Sequence, residues 1–394
     1  MNIKSIENFE IRDGRVILRV DFNVPVKKGR VEDNYKIKRA LPTIKRLLKN
    51  RNQIVIVSHL GRPDGKKVKA LSLEPVFKEL KKLLAGNGYK MKFFPQKIDA
   101  KLVKLVNDTD VDILFLENMR YDKREDENRK NLAVLLSKMG DVFVNESFAA
   151  CHRKMSSLVE NTNYLPSFAG LNLVQEVNYL SKSLNPKKPA VALIGGSKIH
   201  TKIALIKGFL KTYNKILIGG GLANTFFAAK GYDVGGSLFE PDELRRAKLL
   251  LKSKKIILPK DVLVSDKSRK SVRLVKVARD KVLCEKNEMI LDIGPETVKK
   301  YADEIKKAKF IIWNGPLGLI EEKKFSHGTV ALAKFIGSRA TGRAIGIAGG
   351  GETLLALKMA GVEKYYDFVS TGGGSMLQFM EGKVLPGIKP LIIK

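Results

Sequence analysis

Two groups of residues in this chain have the types and spacing for chemistry on phosphates. In the first half, four short apolar runs each lead into groups that grip anions. "RVILRV" leads into Asp21 and Asn23, "QIVIVS" into His59 and Arg62, "DILFL" into Arg120, and "DVFVN" into His152 and Arg153. A single arginine or histidine in such a place is ordinarily solvated or hydrogen-bonded. Gathered at the ends of four strands, these residues predict a pocket for a small, multiply charged anion, because a guanidinium fork grips carboxylate and phosphate bidentately.

In the second half the apolar runs end in glycine instead. "AVALI" precedes Gly195, Gly196, Ser197 and Lys198; "KILI" precedes the "GGGLANTF" that starts at Gly219; "KFIIW" precedes "NGPLG". "AIGIA" precedes "GGGE", with Gly350, Gly351 and Glu352, and "YDFVS" precedes "TGGGS". One such cluster marks a tight turn as readily as a ligand. Five at strand ends predict backbone N–H groups closing on nucleotide phosphates, with Lys198 and Lys202 supplying charge. The stretch "AIGIAGGGE" has two readings, a backbone cradle for phosphate or a tight turn followed by an acid, Glu352, that caps the helix N-terminus, and the stretch alone leaves them even.

None of these clusters matches the dinucleotide fingerprint GxGxxG or the P-loop GxxxxGK[ST], which disfavours a dehydrogenase and a P-loop ATPase. An arginine-rich pocket in one domain and a glycine-lined nucleotide site in another, joined by a hinge, point to phosphoryl transfer. Closure would expel water and bring the phosphates in line. Cys151 beside His152 lacks a third orienting group, and His200 and His327 lack ligand-spaced neighbours, so these residues receive no chemical role.

The elements that must position these groups are legible as a pattern. Ten β-branched runs alternate with segments long enough for helices, which predicts an α/β fold with parallel sheets covered on both faces. In "KIKRALPTIKRLLK" the apolar residues Ile37, Leu41, Ile44 and Leu48 recur at helical spacing, and Pro42 either kinks that helix or marks its beginning. "YLPSFAG", at 164–170, reads as an inter-domain hinge feeding the amphipathic "LNLVQEVNYLSKSL". Pro386 and Pro390 favour an extended C-terminal tail.

A length of 394 residues predicts two domains. Two distant cysteines and the lack of an apolar leader or a bilayer-length run predict a cytoplasmic protein without disulfides or a membrane segment. The formal net charge of +32 has two readings. Most lysines fall on polar helix faces, as in "FKELKKLL", and are read as solvated; a nucleic-acid or other polyanion partner is kept as the secondary reading.

These residues bring a family into view. "RVDFNVP", "ALPTI", "SHLGRP", "WNGPLG", "GTVALA" and "STGGGS", with "GGSK" and "GGGLA" between them, resemble phosphoglycerate kinase in type, order and spacing along essentially the whole chain. The resemblance implies two Rossmann-like three-layer domains with parallel sheets: 1–168 for phosphoglycerate, completed by a tail at 379–394; a hinge and connecting helix at 169–184; and 185–378 for the nucleotide. It implies a monomer that moves a phosphoryl group between 1,3-bisphosphoglycerate and Mg-ADP, giving 3-phosphoglycerate and ATP, with no covalent enzyme intermediate. Carried over by motif, Asp21, Asn23, Lys36, His59, Arg62, Arg120 and Arg153 hold the phosphoglycerate. Gly195, Lys198, Lys202, Gly219, Asn314, Glu321, Gly350, Gly351, Glu352 and Thr353 line the nucleotide site. Lys36, Lys198, Gly373 and Gly374 act on the phosphoryl group in flight, and Glu352 engages Mg2+ through the nucleotide.

The chain departs from the family pattern at several positions. Lys36 stands where the family has arginine, Thr201 and Glu352 stand at aspartate positions, and Glu146 and Ala149 replace Asp and Gly. Lys36 keeps the arginine's charge but loses its fork, and Arg39 lies one helical turn away. The alternative function these changes raise is a catalytically impaired relative that binds nucleotide or polyanion.

Overall fold

The computed structural model describes residues 1–278 and 282–393; Lys394, the end of the expected tail, lies outside them. Contacts divide the chain into two compact units. One holds residues 1–178 and the segment from Val384 onward, the other Tyr179–Lys383.

All ten apolar runs are strands, and all ten lie in two six-stranded parallel sheets. In the first unit the order is Met91–Phe94, Ile113–Leu116, Gln53–Val57, Arg15–Arg19, Val142–Asn145, Ser167–Ala169. Alternation along each strand sends side chains to both faces. Val16, Leu18, Ile54 and Ile56 pack with Ile37, Ile44 and Leu47 of the helix Tyr35–Lys49. Ile17, Val55 and Val57 pack on the opposite face with Leu102, Val106, Leu132 and Leu136. Burial on both faces explains why these strands read as unbroken apolar runs.

In the second unit the order is Ile256–Ile257, Lys215–Ile218, Ala190–Ile194, Phe310–Asn314, Ile345–Gly349, Phe368–Ser370. Val191, Leu193, Ile311 and Trp313 pack against Tyr301, Ile305, Leu332 and Ile336. Because every strand in each sheet runs the same way, the carboxyl ends of each sheet line one edge. That edge receives the arginines in one unit and the glycines in the other.

Four features narrow, go beyond or differ from the sequence expectation. The helix Tyr35–Lys49 runs through Pro42, which is exposed, so the proline neither starts nor ends it. Ser167–Ala169, inside the segment read as a hinge, is an edge strand paired with Phe143–Asn145. The tail from Val384 is not extended but turns into a short 3-10 helix at Lys389–Leu391. The second unit also carries an antiparallel three-stranded sheet, Arg273–Lys276, Asp261–Asp266 and Glu288–Ile293, in that order. The helix Leu171–Leu184 carries the chain from the first unit into the second. No helix among the described residues is long and apolar enough to cross a membrane.

Candidate functional site

The first half-site is built on the strand ends of the first unit. Asp21 and Asn23 follow Arg15–Arg19, and the Lys36 ammonium donates to Asp21 Oδ2 at 2.7 Å. Burial is the largest influence on Asp21 and works against its ionisation, but the charge and hydrogen bond of Lys36 together with the other neighbouring cationic groups outweigh it and hold the carboxyl below its ordinary range. Asn23 Oδ1 accepts from the Gly61 N–H at 3.0 Å, which ties the first strand end to the loop carrying His59 and Arg62. Arg120 donates from Nη1 to the Gly61 carbonyl at 2.8 Å, so a third strand end closes on the same loop.

Positive charge is in excess here. Arg120 faces Asp126 across 3.2 Å, whereas Arg153 is pushed down from the ordinary arginine range by burial and then by repulsion from Arg120 and Arg62. Guanidiniums crowded in this way favour the binding of an anion. Arg62 is exposed, and Arg153 donates from Nε to His152 Nε2 at 3.3 Å. The structure therefore brings together Asp21, Asn23, Lys36, His59, Arg120 and Arg153 at one sheet edge, with Arg62 in the same field. Arg39 does not join them. It donates to Asn172 Oδ1 at 2.9 Å and to Gln175 Oε1 at 3.1 Å, on the helix Leu171–Leu184.

The second half-site is a cleft lined by Gly196, Ser197, Gly220, Gly221, Glu321 and Glu352, with an apolar wall of Leu238, Pro259, Met289, Leu291, Pro316 and Leu317. Its loops clasp one another through backbone bonds. Gly195 N–H donates to the Asn314 carbonyl at 3.0 Å, Gly196 N–H to Pro316 at 2.7 Å and Gly220 N–H to Leu317 at 2.9 Å. A Cβ on Gly195 would stand 2.0 Å from the Pro316 carbonyl, so only glycine permits this approach. Gly219 begins the turn into the helix Gly220–Ala229.

Gly350, at φ +107°, precedes the helix Gly351–Ala360 and puts Glu352 in its first turn, exposed at the cleft. Thr353 is buried and accepts the Gly315 N–H at 2.8 Å, while Asn314 Nδ2 donates to the Gly349 carbonyl at 2.7 Å. These two residues lock adjacent strand ends together. Gly373, at φ +48°, and Gly374 open the short helix Gly374–Met380.

The two lysines of "SKIHTK" part company. Lys198 is exposed, whereas Lys202 is buried and donates to the Gly195 carbonyl, with the Asn314 carbonyl at 3.4 Å. Burial pulls the Lys202 ammonium down to about 8, with Glu352 pulling the other way. Glu240 accepts from the His200 N–H at 3.0 Å and also from the Ile199 N–H, and it meets the His200 ring, so it braces the loop that carries both lysines.

Sequence reasoning missed the buried Arg19, Glu125 and Ser157 behind His59, the brace at Glu240, and the apolar cleft wall. Arg19 carried a signal: it is the one charge inside the run "VILRV". The wall carried another, since "EMILDI" is an apolar run that ends in a glycine turn.

Comparison with known proteins adds an independent finding. A family model described as phosphoglycerate kinase matches residues 6–383. A phosphoglycerate kinase of Borrelia garinii subsp. bavariensis is 41% identical over 399 residues, covering 99% of this chain and 100% of that one. One from Moorella thermoacetica is 39% identical over 397 residues, covering 99% of each. Among solved structures, the phosphoglycerate kinase of Coxiella burnetii superposes with a TM-score of 0.84 at 37% identity over 99% of both chains. That of Pyrococcus horikoshii OT3 gives 0.88 at 28% identity, over 99% of this chain and 98% of its own.

Proposed function

The chain belongs to the phosphoglycerate kinase family, and we infer on that premise that it catalyses the reversible transfer of a phosphoryl group from the carboxyl phosphate of 1,3-bisphosphoglycerate to ADP, leaving 3-phosphoglycerate and ATP. The family match over nearly the whole chain and the names of its relatives carry the catalytic reading over the binding-only one. The observation in the molecule that supports it most is the cluster of Arg62, Arg120 and Arg153, whose charges repel one another and suit a multiply charged anion such as a phosphorylated acid.

In this reading the first unit holds the phosphoglycerate through Asp21, Asn23, Lys36, His59, Arg62, Arg120 and Arg153. The cleft of the second unit holds the nucleotide, its base against the apolar wall and its phosphates against the glycine loops with Lys198 and Lys202. Glu321 and Glu352 face that nucleotide, and Asn314 and Thr353 hold the loops in register. Gly373 and Gly374 offer N–H groups to the phosphoryl group in flight. The protein's part is positioning and charge neutralisation, since direct in-line transfer needs no covalent group from the enzyme.

Magnesium enters as part of the nucleotide substrate. Glu352, exposed at the cleft, is the carboxylate that would engage the ion through the nucleotide. The ion neutralises phosphate charge when bound. The test is steady-state ATP formation from 1,3-bisphosphoglycerate and Mg-ADP. Turnover of roughly 1 to 1,000 per second is expected; nucleotide binding without turnover would establish the binding-only alternative.

A further inference from the structure

His59 has two ring nitrogens, and the fold decides which of them carries the proton. Nδ1 lies 3.2 Å from Nη2 of Arg19. A guanidinium nitrogen only donates, so Nδ1 accepts, the ring is neutral, and its proton sits on Nε2. Arg19 is fully buried and held on its other sides. Its Nε donates to Ser157 Oγ at 2.8 Å and its Nη1 to the Val20 carbonyl at 2.5 Å. Glu125, equally buried, lies 3.9 Å from Nη2 and accepts the Ser157 hydroxyl at 2.6 Å and the Ser157 N–H at 2.9 Å.

We propose that Arg19 is a positioning residue for the reaction: buried out of a ligand's reach, it holds His59 as a neutral imidazole whose Nε2–H donates to the bound phosphoglycerate. The inference rests on the place of His59 in the phosphoglycerate half-site. It gives the pocket a hydrogen-bond donor that adds no charge to Arg62, Arg120 and Arg153, so the contribution of His59 to binding stays constant where a free histidine would titrate. Three of the groups facing His59 enforce this: Arg19 on the strand Arg15–Arg19, Arg120 from the loop after Ile113–Leu116, and Lys36 from the helix Tyr35–Lys49. Asp21, past the end of the first strand, pulls the other way and is outweighed. Burial first, then the Arg19 charge, push the ring well below the ordinary histidine range.

Side-chain 15N spectra of the wild-type protein, with His59 assigned through His59→Gln, read the tautomer directly. The Nε2–H form is expected from about pH 6 to 8. An Nδ1–H form or an imidazolium at pH 7 would overturn the proposal. In Arg19→Met/Glu125→Gln both buried charges leave together, so neither is stranded. His59 should then populate both tautomers and take up a second proton. KM for 3-phosphoglycerate, relative to wild type, should change at least about fivefold between pH 5.5 and 7.5. A wild-type His59 spectrum in that variant would also overturn the proposal, and if the variant does not fold the wild-type spectrum still decides. Saturating 3-phosphoglycerate separates the two layers: a shift of Nε2–H supports His59 in the half-site, and no shift removes it from that site together with the proposed role of Arg19.

Discussion

The Lys36 ammonium stands 2.7 Å from Asp21 Oδ2, so the cation that the helix Tyr35–Lys49 brings to the strand ends of the first unit is oriented by a carboxylate past the end of the first strand. Arg39, one turn further on, is engaged by Asn172 and Gln175 and does not stand in for it. Lysine offers a point charge where a planar fork could hold substrate and transferring phosphoryl group together.

Lys36→Arg is therefore expected to raise kcat by roughly three- to tenfold, with KM for ADP within about twofold, in steady-state ATP formation. Lys36→Ala should lower kcat by about 10²-fold or more. A rate for the arginine variant equal to or below wild type would mean that the surrounding site is built for lysine.

Glu146 predicts how stability depends on pH. Its carboxyl accepts from the Thr43 hydroxyl at 2.6 Å and from the N–H groups of Asn172 and Leu173 at 3.1 and 3.3 Å. Burial nevertheless pushes it up to about 8. Between the unfolded value near 4.5 and the folded value, the native state binds more protons than the unfolded chain, so this group's contribution falls as pH rises through that window. Urea unfolding should show wild type losing stability relative to Glu146→Gln from pH 5 to about 8.5; parallel curves would refute it.

Lys202 predicts a second pH effect, on nucleotide binding. With its ammonium pulled down to about 8, the free protein loses this charge as pH rises past that value. KM for Mg-ADP should be level below pH 8 and climb above it, while Lys202→Arg stays level because guanidinium does not titrate there. An equal climb in both proteins would place the titrating group elsewhere.

The parallel strands were legible because burial on both faces leaves runs such as "AVALI" without polar interruption. Met91–Phe94 escaped notice because, of its four residues, only Phe94 is fully buried, and Ser167–Ala169 because Pro166 and Gly170 bracket it like a turn. In the antiparallel sheet the edge strand Arg273–Lys276 was hidden by exposure, since it shows no buried face. Residue types at strand ends pointed to the two clusters that the sheets gather at their edges. They could not reveal that Lys202 is buried while Lys198, four residues earlier, is exposed, nor that Arg19 lies behind His59, since burial comes from packing between distant segments.

The C-terminal segment is woven into the first unit. Lys4 N–H donates to the Leu391 carbonyl at 2.7 Å, Ile393 N–H to Asn2 at 3.1 Å, and Asn145 Nδ2 to Gly387 at 3.0 Å. This imposes an order on biosynthesis. The unit translated first lacks one of its own pieces until the whole of Tyr179–Lys383 has been made, so the later, uninterrupted unit is the one free to complete itself during translation. The strand end at Asn145, close in sequence to His152 and Arg153, receives its last hydrogen bond only when the ribosome has passed Gly387.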